Sequence, residues 1–220
     1  MAQDTTCDLV LKPVDGVWGH GVQVLHYERG QFFTMKGTLV EIDALMTLWS
    51  KYKRWLLQER IHPHRDLVRL SGSNYLQTVR AISFVDRSGV ATVPLAWLRI
   101  IAKGNMYDNF SFGASGNLSA TVDLERAQLG QVFAPGVAQQ GITLVMQHPD
   151  TGIAFSNFKL PFAAETHSLV LRAAQAFTPL RTIGWDIAIT DDGPLLIEGN
   201  VTWDPLPTLH DLRAIVAAFV

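Results

Sequence analysis

The opening segment CDLVLKPVDGVWGHGVQVLHYERGQFFTM alternates apolar and polar positions around a glycine-rich centre and reaches a turn at Glu28 to Gly30. Alternation with period two predicts strand, loop, strand, turn, strand. From Glu41 to Tyr52 the period lengthens: Ile42, Leu45, Met46 and Trp49 recur at three-to-four-residue spacing, which predicts an amphipathic helix. A short strand, WLLQERI, follows. Two apolar, β-branched runs, LQTVRAISFV and VATVPLAWLRIIA, flank Asp86 to Gly89 and predict a hairpin. Residues 104 to 152 are rich in Gly, Asn and Ser, with short strand-like pieces (LSATVDL, GQVFAP, GITLVM). Glu165 to Phe177 reads as a helix ending before Pro179. TIGWDIAIT and PLLIEGNV then read as two strands joined at Asp191-Asp192-Gly193-Pro194, and Leu209 to Phe219 as a final helix. The expected class is α+β. WLLQERI has the look of a hinge, dividing a smaller first lobe, residues 1–61, from a larger second one, residues 62–220.

With 48% hydrophobic and 17% charged residues, the 220-residue chain can bury a sizeable core. A net charge of -2, from 18 basic and 20 acidic residues without a long single-sign run, gives no electrostatic footprint for nucleic acid. Cys7 is the single cysteine, so no intrachain disulfide and no thiolate metal cluster can form, and a reducing, cytoplasmic compartment is expected. No stretch approaches the ~20 apolar residues of a membrane span.

The strongest chemical signal is the C-terminal strand pair. A tight turn brings Asp186 near Glu198, while Glu198 and Asn200, two apart, project to one face of their strand. Three oxygen donors of this kind suit magnesium, which takes a few hard ligands from protein and completes its shell with water and phosphate. The flanking segments IGWDIAI and PLLIEGN are apolar enough to predict that both strands are buried. Spacing alone admits a second account, in which Asp186 caps a turn and Glu198 pairs with an arginine.

Lys12, at a strand end, precedes Gly16, Gly19 and Gly21, glycines that let backbone N–H groups approach phosphates. A glycine-rich turn beside a surface lysine has the same appearance. No Gly-Lys-Ser/Thr follows, and strands rather than a helix come next, so neither a Walker loop nor a dinucleotide fold fits. Arg80 and Arg99 lie inside apolar strand patterns and each requires an anionic partner, either a ligand or an aspartate such as Asp86 or Asp108. His62 and His64 flank a proline without a third nearby ligand and read as exposed turn histidines.

IGWDIAITDDGPLLIEGNVTWDP resembles the C-terminal signature of the ATP-grasp superfamily, in which an Asp on one strand and a Glu-x-Asn on the next hold magnesium. From about Leu11 to Pro205 the chain resembles, more narrowly, the sugar-transfer-associated ATP-grasp family. The resemblance implies two α+β lobes whose antiparallel sheets hold ATP between them, in an N-terminally truncated form of the fold. It implies Asp186, Glu198 and Asn200 as ligands of Mg2+. Lys12 with Gly16, Gly19 and Gly21 becomes a phosphate flap, from whose usual pattern Trp18 and His20 depart. It assigns Gln58, Glu59 and Ile61 to adenine, Arg80 to a phosphate or acyl phosphate, and Arg99 and Asn109 to the nucleotide site. The implied function is an ATP- and magnesium-dependent carboxylate-amine ligase of cell-surface polysaccharide biosynthesis, acting on a small carboxylate or amino acceptor. The alternatives are a nucleotide-binding module without turnover and a small-molecule kinase. The segment that usually precedes Lys12, which carries another nucleotide-contacting lysine, is expected to be missing or supplied by a partner chain.

Overall fold

The computed structural model describes residues 6–15, 21–136 and 141–204, apart from the side chain of Phe112. The chain divides into two compact units, Met1–Ile61 and His62–Val220.

In the first unit, β1 (Thr6–Pro13), β2 (Gln23–Glu28), β3 (Gln31–Thr34), β4 (Leu39–Val40) and β5 (Trp55–Glu59) form an antiparallel sheet ordered β4-β3-β2-β1-β5. Arg29 and Gly30 both have positive φ, the geometry of a two-residue hairpin turn, and Gly30 supplies it without strain. The helix α1 (Ile42–Trp49) is shorter than the Glu41–Tyr52 span its periodicity predicts. Its apolar stripe is only partly used. Leu45 is buried with Leu11 and Leu25, whereas Ile42 and Met46 are each 55% exposed. The two-residue strand β4 has no period to read and escapes sequence detection.

The second unit contains α2 (Arg65–Ser71), β6 (Thr78–Val85), β7 (Ala91–Ile100), β8 (Leu118–Asp123), β9 (Gln128–Pro135), β10 (Ile142–Leu144), α3 (Ala163–Ala176), β11 (Thr182–Thr190) and β12 (Gly193–Asn200). Its seven strands run in the order β10-β9-β8-β7-β6-β11-β12, every neighbouring pair antiparallel. The helix α3 lies against β6, β7, β11 and β12. It buries Ala163, Thr166, Val170 and Ala174, a three-to-four-residue stripe. Beneath it Val79, Ala81, Leu98, Ile183, Trp185, Ile187 and Ile189 form the sheet side of the core, joined by Leu67 and Leu70 of α2. Each such large side chain contributes about 1.5–3 kcal/mol on burial.

Three expectations change. The seven-residue helix α2 was not predicted, because Leu67 and Leu70 are one apolar pair in a segment too short to show a period. His64 is its N-cap rather than an exposed turn residue: Nδ1 accepts the Asp66 N–H at 3.0 Å, while His62 remains exposed. And β12 is not buried like β11. It is the edge strand of the sheet, so its residues are half-buried or exposed in spite of their apolar character. The helix expected at Leu209 to Phe219 lies outside the described residues.

Candidate functional site

Strand alternation sorts the second sheet into two faces. Val79 and Ala81 face α3, so Thr78 and Arg80 face the opposite way. Across the ladder Arg80 lies opposite both Trp97 of β7 and Asp186 of β11, and Arg99 lies two residues beyond Trp97. Asp186 in turn pairs with Glu198, and Gly184 with Asn200.

This last pairing depends on a bulge between Asp186 and Ile187. In an unbroken ladder running from the Thr190–Gly193 turn, Ile197 would oppose Asp186 and Glu198 would oppose Trp185 on the α3 side. The bulge absorbs one residue of β12 and swings Glu198 and Asn200 onto the face that carries Asp186. The turn end is fixed from α2: Arg65 donates from its backbone N, Nε and Nη2 to Asp191 at 3.0, 3.2 and 3.0 Å, and the His64 N–H reaches the Ile189 carbonyl at 2.7 Å.

Five side chains predicted from sequence therefore share one face of the second unit. Arg80 donates through Nε and Nη2 to the two carboxylate oxygens of Asp186, the Nη2 bond at 2.8 Å. This fork is the geometry in which Arg binds a carboxylate best. Arg99 adds a third donor from Nη1 to Asp186 Oδ2 at 3.3 Å. Asn200 donates from Nδ2 to Glu198 Oε1 at 3.2 Å. The aspartate that partners Arg80 is thus neither Asp86 nor Asp108. Asp86 is taken up by its own turn, accepting from Ser88 and Val90.

Asp108, not singled out as a site residue from sequence, belongs to the same cluster. Its Oδ2 accepts the Thr78 N–H at 2.7 Å and the Thr78 hydroxyl at 2.6 Å, and its Oδ1 lies 3.9 Å from Arg99 Nη1. Thr78, two residues before Arg80, is equally a finding of the structure. Asn109, carried forward from sequence, is half-buried and engages through its carbonyl, which accepts from Asn117 Nδ2 at 2.9 Å.

The electrostatics follow from burial opposed by pairing. Burial alone would raise the Asp186 carboxyl, but the Arg80 hydrogen bonds and the charges of Arg99 and Arg80 outweigh it and hold Asp186 below the usual carboxylate range. Burial would likewise lower Arg80, and Asp186 keeps it above its ordinary value. For Asp108 burial prevails over Arg99 and Thr78, with Asp186 adding repulsion, and its carboxyl is pushed up.

The donor chemistry fits magnesium. Asp186 and Glu198 offer carboxylate oxygens and Asn200 an amide oxygen, while Glu198, at the sheet edge, is exposed. Among the described residues no three His, Cys, Asp or Glu side chains gather into a closed cage. An open set of two carboxylates and an amide leaves room for phosphate and water.

The remaining predicted residues belong to the first unit. Lys12 is on β1 opposite Leu56 of β5, and Gln58 and Glu59 are on β5 opposite Val10 and Leu9. β5 is an edge strand, paired on one side only within its sheet, and half-buried Ile61 ends the unit. Gly21 has φ of +81°, and a Cβ there would meet Pro13 Cγ at 2.9 Å and the Tyr52 ring at 3.0 Å, so glycine is required where the loop rejoins β2. Gly16 and Gly19 lie outside the described residues.

Two α+β units built on antiparallel sheets, with an aspartate facing a Glu-x-Asn across a hairpin, define an ATP-grasp protein. The chain belongs to the sugar-transfer associated ATP-grasp family, whose model matches residues 1–210. That membership implies ATP-dependent, ligase-like activity. Comparison with curated proteins gave no match. Among the described residues no helix is long and apolar enough to cross a membrane.

Proposed function

We propose that the chain is a Mg-ATP-dependent ligase that activates a substrate carboxylate and passes the acyl group to an amine, in the biosynthesis of cell-surface polysaccharide. The observation that carries this reading is the convergence of Asp186, Glu198 and Asn200 on the sheet face that also presents Arg80 and Arg99. Hard oxygen donors beside half-buried guanidinia suit a metal-bound polyphosphate better than any neutral ligand.

In the proposed reaction a carboxylate oxygen attacks the γ-phosphorus of ATP and ADP leaves with the bonding electrons. An amine then attacks the acyl carbon, phosphate departs, and the amine loses a proton. Asp186, Glu198 and Asn200 would hold the magnesium, which supplies charge neutralisation at the phosphate oxygens. Arg80 turns its fork to the transferred phosphoryl group, with Arg99 beside it, while Lys12 and the backbone around Gly16, Gly19 and Gly21 meet the nucleotide phosphates. Gln58, Glu59 and Ile61 supply adenine contacts, supported by the place of β5 at the edge of its sheet among the described residues. Asn109 contributes from the polar loop. Catalysis of this kind is positional and electrostatic and needs no protein nucleophile.

The test is ADP release in magnesium and ATP across a panel of amino acids and amino sugars. Acceptor-dependent release that collapses in Glu198→Gln and Asp186→Asn supports the ligase. Undiminished turnover in both variants sinks it, and a phosphorylated acceptor without a new amide makes the chain a kinase.

A further inference from the structure

Arg99 stands between two carboxylates, with its Nη1 3.3 Å from Asp186 Oδ2 and 3.9 Å from Asp108 Oδ1. Asp186 is the proposed metal ligand; Asp108 points to no such role, and burying its charge is costly. Its mount is nevertheless elaborate. The two carbonyls that bracket it, of Tyr107 and Asn109, both accept from Asn117 Nδ2, at 2.6 and 2.9 Å. Asn117 is itself buried and fixed through Oδ1 by the Ala102 N–H at 3.1 Å and by Asn105 Nδ2 at 2.9 Å. Two donors from Thr78 then occupy Asp108 Oδ2 and leave Oδ1 toward Arg99.

We propose that Asp108 is a positioning residue: it is a second counter-ion for Arg99, placed to take that guanidinium over when Asp186 turns to magnesium. This rests on the magnesium-nucleotide reading above. The two arginines are then unequal. When Asp186 turns to the metal, Arg99 passes to Asp108, whereas Arg80 gives up the carboxylate it forks and turns to a phosphoryl group. Without the carboxylate of Asp108, Arg99 has no second acceptor to pass to, stays on Asp186 beside Arg80, and both compete with the metal. Groups that orient ligands from behind affect metal affinity without touching the ion.

The experiment measures, by calorimetry, the magnesium concentration that gives half-maximal binding of a non-hydrolysable ATP analogue to the full chain. In Asp108→Asn that concentration rises about tenfold, the usual size of an effect transmitted through a ligand's partner. Adding Arg99→Gln to Asp108→Asn brings it back toward wild type, since the competing guanidinium is gone. The magnesium midpoint, rather than the affinity for the analogue, is the readout because Arg99 has its own proposed nucleotide contact. An unchanged midpoint in Asp108→Asn overturns the proposal, as does a raised midpoint that Arg99→Gln fails to lower, which is the behaviour of a purely structural residue. If Asp108→Asn does not fold, Thr78→Val, which removes one donor from Asp108, carries the test: a raised midpoint supports the proposal and an unchanged one overturns it. Failure of the wild-type chain to bind the analogue at any magnesium concentration instead withdraws the nucleotide reading, and this inference with it.

Discussion

Asp186 and Glu198 face one another across the hairpin, yet the fold depends on them very differently. Asp186 is buried and neutralises two half-buried guanidinia, whereas Glu198 is exposed at the sheet edge. Asp186→Ala strands Arg80 without the carboxylate it forks, leaves Arg99 with the more distant Asp108, and is expected to cost about 3–5 kcal/mol, read from urea unfolding. Glu198→Gln should leave the unfolding midpoint near that of wild type while removing magnesium-dependent nucleotide binding; a large stability loss there would mean that Glu198 is structural. Acidity acts through Asp186 with a definite sign. Its folded-state pKa is depressed, so its contribution is fully present above the unfolded value and is lost as pH falls through the lower folded value. Urea midpoints taken down the acid range should therefore fall less steeply in Asp186→Asn than in wild type. At this scale the sequence was informative where chemistry is written into residue type: an Asp, a Glu-x-Asn and two arginines in apolar strands. Asp108 was legible as a possible counter-ion of the arginines but not as a member of the site, and Thr78 escaped altogether, because neither is unusual by itself. What makes them matter is a fold contact across 30 residues of chain, from the loop to the first residue of β6.

The hairpin of β11 and β12 was legible as two strands and a turn; the bulge was not. An extra residue leaves alternation looking intact on either side, and only the ladder reveals that the faces exchange between Leu196 and Glu198. Gly199, between the two expected metal ligands, has a separate reason to be glycine. A Cβ there would meet the Trp185 ring at 2.8 and 3.0 Å. Trp185 cannot yield easily, being buried and donating from Nε1 to Ser83 Oγ at 2.9 Å. Gly199→Ala should therefore cost about 1–3 kcal/mol through overpacking. It should also displace Glu198 and Asn200, so that analogue binding weakens even at saturating magnesium. Normal binding by calorimetry would show that β12 tolerates the shift. The long elements were read within a few residues, as α3 and β6 to β8 illustrate, because their periods repeat. The seven-residue α2 and two-residue β4 are shorter than the repeat that would announce them.

For the whole molecule, family membership fixes the class of chemistry and leaves the acceptor to its loops. Nucleotide bound only by the folded chain must stabilise it by mass action: magnesium with the ATP analogue at 100 times its Kd should add about 2.7 kcal/mol. A thermal-shift series should register that gain in wild type and lose it in Glu198→Gln; equal shifts in both would move the metal elsewhere. The second sheet keeps most of its packing on the side covered by α3 and its charged cluster on the other. Such a sheet lets selection act on the two sides almost independently. On the proposed reading, substitutions that retune the site can accumulate on the charged side without eroding the core, and a lineage can diversify while inheriting one scaffold. Asp186 is the exception, since losing it would take a counter-ion from the fold and, on the proposed reading, a metal ligand from the site, and it marks where that freedom to drift ends.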